Sequence, residues 1–405
     1  MGFLRSTHKS ECFGCEACVQ VCSKKAIVMQ EDNEGFRYPA VNGELCINCG
    51  LCHKVCPAET IPEASKDKKY AFGGYHKSLK VRKFSTSGGA FTAIAQTWAE
   101  QNNGNYIIFG AASNGLNVFH YGIENIRKLP VICKSKYSQS KIGNTYVQVR
   151  KALKEGKKVL FSGTPCQVAG LKAFLGNTNT SALLLVEVIC EGVPSPLYIR
   201  KLDDHIFGKY GARIKTLDYR SKGQKNAARS FKWDFERMSL VLENGTILEK
   251  DRWFNPYWSI WLQHLMSRPS CYECPFTTTE RQADITLGDL WGVHLYCPEL
   301  YGNNGGSSLI VCNTEKGREH WKKAQKNFVG HELDFETALK YQSPMRKHID
   351  MNPKRNECIR DLADNSVSYE DICKKWAKKP DAKLLFQKYV WGNRQKVFVW
   401  NLKNK

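Results

Sequence analysis

No stretch of this sequence is apolar for long enough to span a membrane, which excludes a helical transmembrane protein. The opening residues, Met-Gly-Phe-Leu-Arg-Ser-Thr-His-Lys, lack the apolar core of a secretory leader, so a cytoplasmic location is expected. Long low-complexity tracts are missing too. With 405 residues, 42% of them apolar and 24% charged, the chain has room for a small module plus one large or two medium domains. Negative charge is the other scarcity: 39 Asp and Glu stand against 60 Lys and Arg, a formal charge of +21. That excess favours an anionic partner, whether an acidic redox protein, a phosphorylated cofactor, an anionic glycan, a membrane surface or nucleic acid. A solvated basic face that only aids solubility fits the same numbers.

Cysteine is where the sequence is rich. Of 17 cysteines, Cys12, Cys15, Cys18 and Cys22 are matched in spacing by Cys46, Cys49, Cys52 and Cys56, so C-x2-C-x2-C-x3-C occurs twice in the first sixty residues. This is the signature of a module holding two 4Fe-4S clusters. The last cysteine of each run reaches the other cube, so Cys12, Cys15, Cys18 and Cys56 are expected on one, and Cys46, Cys49, Cys52 and Cys22 on the second. Pro57 follows Cys56 as the pattern requires, whereas Ser23 follows Cys22. Zinc would want separated pairs, and eight cysteines arrive here as two quartets. A disulfide framework does not suit a chain without export signals. Two oxidised clusters would lower the formal charge to roughly +17, so the protein stays basic.

The expected organisation is a ferredoxin module over residues 1–62, a body in two parts over 66–155 and 156–345, and a basic, aromatic tail over 346–405. The fold class is α+β/α/β: the two-cluster module, then a larger mixed α/β flavin-binding body. Tyr106–Gly110 and Lys158–Ser162 read as buried strands, and 142–155 as a helix between them. Thr164-Pro165 is a cap followed by proline, which predicts a helix over 166–175. Leu183–Cys190 reads as another buried strand, and Pro194-Ser-Pro196 opens the next helix. Phe231–Arg237 and Met238–Leu248 alternate sides, with a hairpin signal at Asn244-Gly245. Residues 252–267 read as a buried aromatic helix, and Asp284–Trp291 as a strand.

Taken in order, the ferredoxin repeat, Ser85-Thr-Ser-Gly-Gly89, Phe161-Ser-Gly-Thr-Pro-Cys-Gln-Val-Ala-Gly-Leu171, Ile189-Cys-Glu-Gly-Val-Pro-Ser195, Cys271-Tyr-Glu-Cys274 and Asp284-Ile-Thr-Leu-Gly-Asp-Leu-Trp-Gly292 resemble the coenzyme F420 hydrogenase/dehydrogenase beta-subunit family. The match covers about residues 10–310. The resemblance implies a flavin-dependent iron–sulfur oxidoreductase, with FAD preferred to FMN. It further implies a substrate that is a deazaflavin of the F420 type or, as in members encoded with surface-polysaccharide genes, a molecule of that biosynthesis. Glu191 stands where many relatives have histidine, and Leu290 replaces a usual phenylalanine.

The residues themselves partly agree. Ser85, Thr86, Ser87, Gly88 and Gly89 immediately precede a helical pattern, where unpaired N–H groups suit a flavin phosphate. An ordinary serine cap with close-packed glycines reads the same way. Ser138 and Ser140 form a second, weaker candidate contact. Cys166, Cys190, Cys271 and Cys274 lie at element ends. Their spacing describes either a zinc site or a third cluster, and the resemblance favours the cluster. Cys133, Cys312, Cys358 and Cys373 read as small hydrophobes. Asp289, at a strand exit, is the candidate catalytic residue, for orienting substrate or moving a proton. His120, His264 and His294 receive no role. In the tail, Lys374, Lys375, Lys378, Lys379, Lys383, Lys388, Arg394 and Lys396 interleave with Trp376, Phe386, Tyr389, Trp391, Phe398 and Trp400. Such a segment either rests on an anionic membrane, grips a partner, or packs its rings on the body. The expected partners are an acidic redox protein, such as a ferredoxin or a hydrogenase-type subunit, and a small-molecule substrate, with self-association left open. Nucleic acid is disfavoured because no recognition motif accompanies the basic residues.

Overall fold

An eight-stranded mixed sheet forms the middle of the molecule in a computed structural model, which describes residues 2–222, 237–301 and 305–392 and a few positions beyond. The strands in chain order are β1 (Ile27–Glu31), β2 (Arg37–Val41), β3 (Tyr70–His76), β4 (Tyr106–Asn114), β5 (Asn117–Ile123), β6 (Lys158–Gly163) and β7 (Leu183–Val188). They continue with β8 (Ile214–Ser221), β9 (Arg237–Leu242), β10 (Ile247–Asp251), β11 (Ile285–Asp289), β12 (Ser308–Cys312) and β13 (Phe328–Leu333). The large sheet runs β13-β3-β12-β11-β7-β6-β4-β5, parallel from β11 to β4 and antiparallel at both margins.

Strand residues alternate between two cores, as a pleat covered on both faces requires. Leu160, Leu184 and Ile285 face one core with Ile94 and Trp321, while Val159, Phe161 and Leu185 face the other with Tyr146, Val168 and Phe174. The Leu183-Leu-Leu-Val run is buried throughout and takes a central place. The helix after β6 covers Pro165–Leu175 and starts with a capping box, Thr164 receiving the Gln167 backbone N–H while Gln167 Oε1 accepts the Thr164 N–H at 3.0 Å.

A second sheet, β10-β9-β8, is antiparallel and packs with the Leu197–Tyr210 and Pro256–Trp261 helices around a separate aromatic core. The hairpin at Asn244-Gly245 is present, Gly245 having φ +83. The alternating stretch expected over Phe231–Arg237 lies, but for Arg237, outside the described residues. The third strand of this sheet is β8, paired to β9.

Several boundaries differ from expectation. The aromatic run 252–267 is not one helix: a short turn over Arg252–Phe254 precedes a helix of only Pro256–Trp261. Asn255 caps it, Pro256 supplies the first helical position, and the left-handed backbone of His264, φ +58, keeps it from resuming. The Asp284–Trp291 strand stops at Asp289, because Trp291 N–H turns back to Asp289 O at 2.9 Å and Gly292 has φ +73. β4 runs four residues past Gly110 to meet β5 in a hairpin. In the tail, helices Arg355–Ala363 and Tyr369–Trp376 bury Cys358, Ile372 and Trp376 in the aromatic core, while Phe386 and Trp391 stand exposed. The side chains of Lys388, Tyr389, Arg394, Lys396 and Trp400 lie outside the description. Among the described residues no helix is long and apolar enough to cross a membrane.

The N-terminal module is a β1–β2 hairpin with short helices Ala17–Val21 and Leu51–Lys54, docked on the body beside the Thr145–Lys154 helix. That helix has no cap of its own. Gln20 Oε1 accepts the Tyr146 N–H at 2.8 Å and Glu16 Oε2 the Gly143 N–H at 2.9 Å. Module residues thus satisfy backbone donors that would otherwise be stranded.

Candidate metal centres and the adjoining cleft

Both cysteine loops curl by the same means. Gly14 and Glu16 have φ +65 and +60, and the equivalent Asn48 and Gly50 have +50 and +71. A left-handed residue on each side of the middle cysteine is what wraps three thiols around one centre. Cys12, Cys15, Cys18 and Cys56 line one cavity, which brings the exchanged fourth cysteine to the first three. Burial and the neighbouring thiols push Cys15 and Cys18 up. Cys52 also reaches this cavity, and burial, with Cys49 and Cys46 of the second loop, pushes its thiol up. Cys22 Sγ accepts the Ala26 N–H at 3.3 Å.

Cys166, Cys190, Cys271 and Cys274, far apart in sequence, line a single cavity in the body. Burial pushes the Cys271 thiol up to about 11 and the Cys274 thiol up to about 12, so a bound cation must displace their protons. Arg281 lines the same cavity and is ion-paired to the fully buried Glu187. Among the described residues, no three sulfurs of any quartet lie mutually within 4.8 Å, as they would around a single ion. Tetrahedral zinc with bonds of about 2.3 Å sets sulfurs roughly 3.8 Å apart, whereas the thiolates of a cube sit on separate irons. The inner and body quartets each line one cavity with sulfurs spaced wider than a single tetrahedral ion requires.

Phe13 and Arg268 stand between the centres. Phe13 lines both the first cavity and the body cavity and packs edge-on to Phe276, with ring centroids 5.2 Å apart. Arg268, 1% exposed, donates to Cys12 O at 2.9 Å, Arg37 O at 3.0 Å and Gln139 Oε1 at 3.1 Å. Gly170 lets the Pro165–Leu175 helix approach: a Cβ there would meet Cys15 Cβ at 2.9 Å.

Beyond the body thiols opens a cleft of about 280 Å³ that gathers every candidate flavin-contact and catalytic residue except Gly88. Ser85, Thr86, Ser87, Gly89, Ser138, Ser140 and Asp289 all line it, together with Cys190 and Glu191. The Ser85 and Ser87 hydroxyl protons are committed within the protein, however. Ser85 Oγ donates to Val81 O at 2.7 Å, Ser87 Oγ to Ser307 O at 2.9 Å, and Thr86 Oγ1 accepts the Ser135 N–H. They shape the loop, leaving the first-turn N–H groups of the 12-residue Ala90–Gln101 helix to meet a ligand. Gly88 is packed, not solvent-facing: its N–H reaches Ser308 Oγ at 2.9 Å and a Cβ would lie 2.6 Å from Gly74 O.

Two lysines that carry no sequence motif supply charge, Lys136 from the cleft wall and Lys222 from behind the Ser87 loop. Lys136 Nζ donates to Ala111 O and Cys133 O, and Lys222 Nζ to Arg82 O, Ser87 O and Gly305 O. Among the described residues neither forms an ion pair. Burial lowers Lys136 to about 8, and burial with the nearby Arg220 and Arg82 lowers Lys222 to about 7. Two buried ammonium groups beside a helix start favour an anion. Tyr137 and Trp261, centroids 5.0 Å apart, give the cleft an aromatic wall. Asp289 is bound to buried Arg220 at 2.6 Å, a pairing that suits orientation. Burial in the cleft pushes the Glu191 carboxyl up. His120 is a structural pin: Gln167 Nε2 donates to Ser140 Oγ at 2.9 Å, Ser140 Oγ then donates to Nδ1, and Nε2–H donates to Ser162 O at 3.0 Å. Burial holds it neutral, down to about 4.

The family model for the C terminus of the coenzyme F420 hydrogenase/dehydrogenase beta subunit matches residues 156–335, and that for a 4Fe-4S dicluster domain matches residues 11–60. Residues 156–335 thus form the C-terminal domain of the F420 hydrogenase/dehydrogenase beta-subunit family. The chain carries a ferredoxin-type module at its N-terminal end. Curated relatives match only that module. It is 35% identical over 52 residues to ketoisovalerate oxidoreductase subunit VorC of Methanothermobacter marburgensis, covering 12% of this chain and 66% of that one. It is 37% identical over 54 residues to pyruvate synthase subunit PorD of Thermotoga maritima, covering 13% and 50%. The chain therefore spans less than two thirds of either relative. Among solved structures, a chain of the xenon-derivatised F420-reducing NiFe hydrogenase complex from Methanosarcina barkeri aligns over 78% of this chain and 94% of that one, at 16% identity and a TM-score of 0.44. That likeness is too distant to carry an argument.

Proposed function

We propose that this protein is an iron–sulfur flavoprotein in which three 4Fe-4S clusters connect a protein redox partner to a flavin-bearing cleft. The observation that carries the reading is a row of shared walls. Phe13 belongs to both the first module cavity and the body thiol cavity, and Cys190 belongs to both the body cavity and the cleft. Cys12, Cys15, Cys18 and Cys56 would hold the inner cluster, Cys22, Cys46, Cys49 and Cys52 the outer one, and Cys166, Cys190, Cys271 and Cys274 the third. Clusters supply one-electron transfers, and a bound flavin couples them to two-electron chemistry.

The chain's own residues bind and orient. The Ala90–Gln101 helix start and Lys136 would take the phosphates of FAD, FMN being the less favoured alternative, while Lys222 holds the Ser87 loop in place and adds its charge from behind it. Tyr137 and Trp261 would cover its ring system. Asp289 fixes Arg220 at the substrate side. Leu45, Ile47 and Leu51 stand exposed around Cys46 and Cys49, so an acidic ferredoxin or a hydrogenase-type subunit would meet the outer loop. The family favours a deazaflavin of the F420 type as the small molecule, with a surface-polysaccharide precursor as the second class.

Anaerobically purified protein is expected to contain about twelve irons, about twelve labile sulfides and one flavin per chain. Cys274→Ser should remove about four irons and leave the module clusters. Flavin retention should weaken as pH rises from about 6 to 9, because Lys222 and Lys136 give up their protons at about 7 and 8, and Lys136→Met should flatten that slope. Stoichiometric zinc without labile sulfide, or protein that takes up no flavin, would end the reading.

A further inference from the structure

Cys297, Glu299 and His331 line neither the cleft nor either thiol cavity. Cys297 follows the Val293–Tyr296 helix, Glu299 sits in the Pro298–Leu300 turn, and His331 projects from β13 at the margin of the large sheet. Their ligand atoms form a closed triangle: Sγ to Oε1 2.9 Å, Sγ to Nε2 3.4 Å, and Nε2 to Oε1 3.4 Å. Among the described residues this is the one set of three such atoms that lie mutually within 4.8 Å. It is the spacing of a single ion, which the cluster quartets lack.

We propose that these three residues bind one zinc ion, with water as the fourth ligand. Tetrahedral zinc with usual bond lengths sets a thiolate and an imidazole nitrogen about 3.6 Å apart, and an imidazole nitrogen and a carboxylate oxygen about 3.4 Å apart. Two edges of the triangle meet these values to within about 0.2 Å. The third closes about 0.7 Å short of the thiolate–carboxylate separation expected on zinc, and Glu299, half exposed, has room to swing outward. The donors are one thiolate, one imidazole and one carboxylate, a set suited to a borderline-soft divalent cation and poor for calcium or magnesium. Cys297 is 1% exposed while the other two ligands are half in water, so the ion would sit at the protein surface with its sulfur side inward and its open side wet.

Its place gives it a task. The segment from Gly292 to Leu300 follows Asp289 directly, and Ser307 Oγ donates to Leu300 O at 2.8 Å while Ser307 O receives both Leu290 N–H and Ser87 Oγ. Clamping Cys297 and Glu299 to β13 would fix the far side of the loop that holds Ser87 and Asp289 in the cleft.

The test uses full-length protein purified anaerobically, treated with a chelator and given one equivalent of zinc. Metal analysis and zinc K-edge absorption are expected to show about one zinc per chain with one sulfur near 2.3 Å and nitrogen or oxygen near 2.0–2.2 Å. His331→Gln, a half-exposed change that leaves the core alone, and Cys297→Ser should each reduce zinc to near zero at unchanged iron. No uptake by the parent protein, equal uptake by parent and His331→Gln, or a four-sulfur environment reporting displaced cluster iron would each overturn the proposal.

Discussion

Gly14 and Glu16 in the first half of the cysteine repeat, and Asn48 and Gly50 in the second, hold the same left-handed backbone, yet the two loops meet opposite surroundings. The first is pressed against the body: Glu16 is 5% exposed, pairs with Arg37 at 3.0 Å and accepts the Gly143 N–H. The second stands in solvent, with Cys49 and Gly50 exposed. A left-handed Glu carries a backbone cost of order 1 kcal/mol that glycine avoids. The first loop accepts it because its carboxylate has two partners to serve. Spacing thus fixes the path of the chain, and the residues between the cysteines decide what that path touches.

The largest test of this contrast is to remove the middle cysteine from each loop. Cys15→Ala should lose about four irons and lower the melting temperature by about 10 °C or more, since its thiol packs against the Gly170 helix as part of the core. Cys49→Ala should lose as much iron and shift melting by no more than about 3 °C. Equal shifts would mean that burial does not separate the halves.

A middling effect is expected at Arg268. Arg268→Gln removes up to three hydrogen bonds from a buried cation, about 3 kcal/mol in urea unfolding. Taking a positive charge from beside Cys12, Cys166 and Cys271 should also lower the midpoint potentials of the inner and body clusters, leaving the outer one in place. Potentiometric titration followed by EPR reads all three, and a uniform shift would contradict a local role. The smallest difference compares equivalent positions two residues after the third cysteine. Gln20→Ala should cost about 1 kcal/mol through the lost helix cap, and exposed Lys54→Ala no more than about 0.5.

What could be read from the sequence was local. Cysteine spacing, the Thr164-Pro165 start, the Asn244-Gly245 turn and the unbroken apolar run at 183–186 each state their geometry within a few residues. In the structure the body quartet lines one cavity, and the hydroxyl loops with Asp289 line one cleft. The polar residues that finish those sites were not legible, because their partners lie far along the chain. Arg268 reaches Cys12, 256 positions away, and Lys222 reaches Ser87, 135 away. His120 likewise depends on Ser140, Ser162 and Gln167, none of which marks it in advance. The aromatic run at 252–267 misled for the converse reason: its apolar content suits a helix, but Asn255-Pro256 and His264 set where a helix starts and stops.

The borrowed cap on the Thr145–Lys154 helix bears on how the protein matures. Gln20 and Glu16 flank Cys18 within two residues, so they hold position only when the loop around the inner cysteines is closed. Until iron and sulfide arrive, the body has a helix with stranded donors and an apolar seat where Cys15, Ala17 and Val55 belong. A chain that misses its inner cluster is therefore unfinished well beyond the module. It would carry that defect into a helix whose Tyr146 and Val149 share a core with β6, so that filling the inner site and finishing the body become one event.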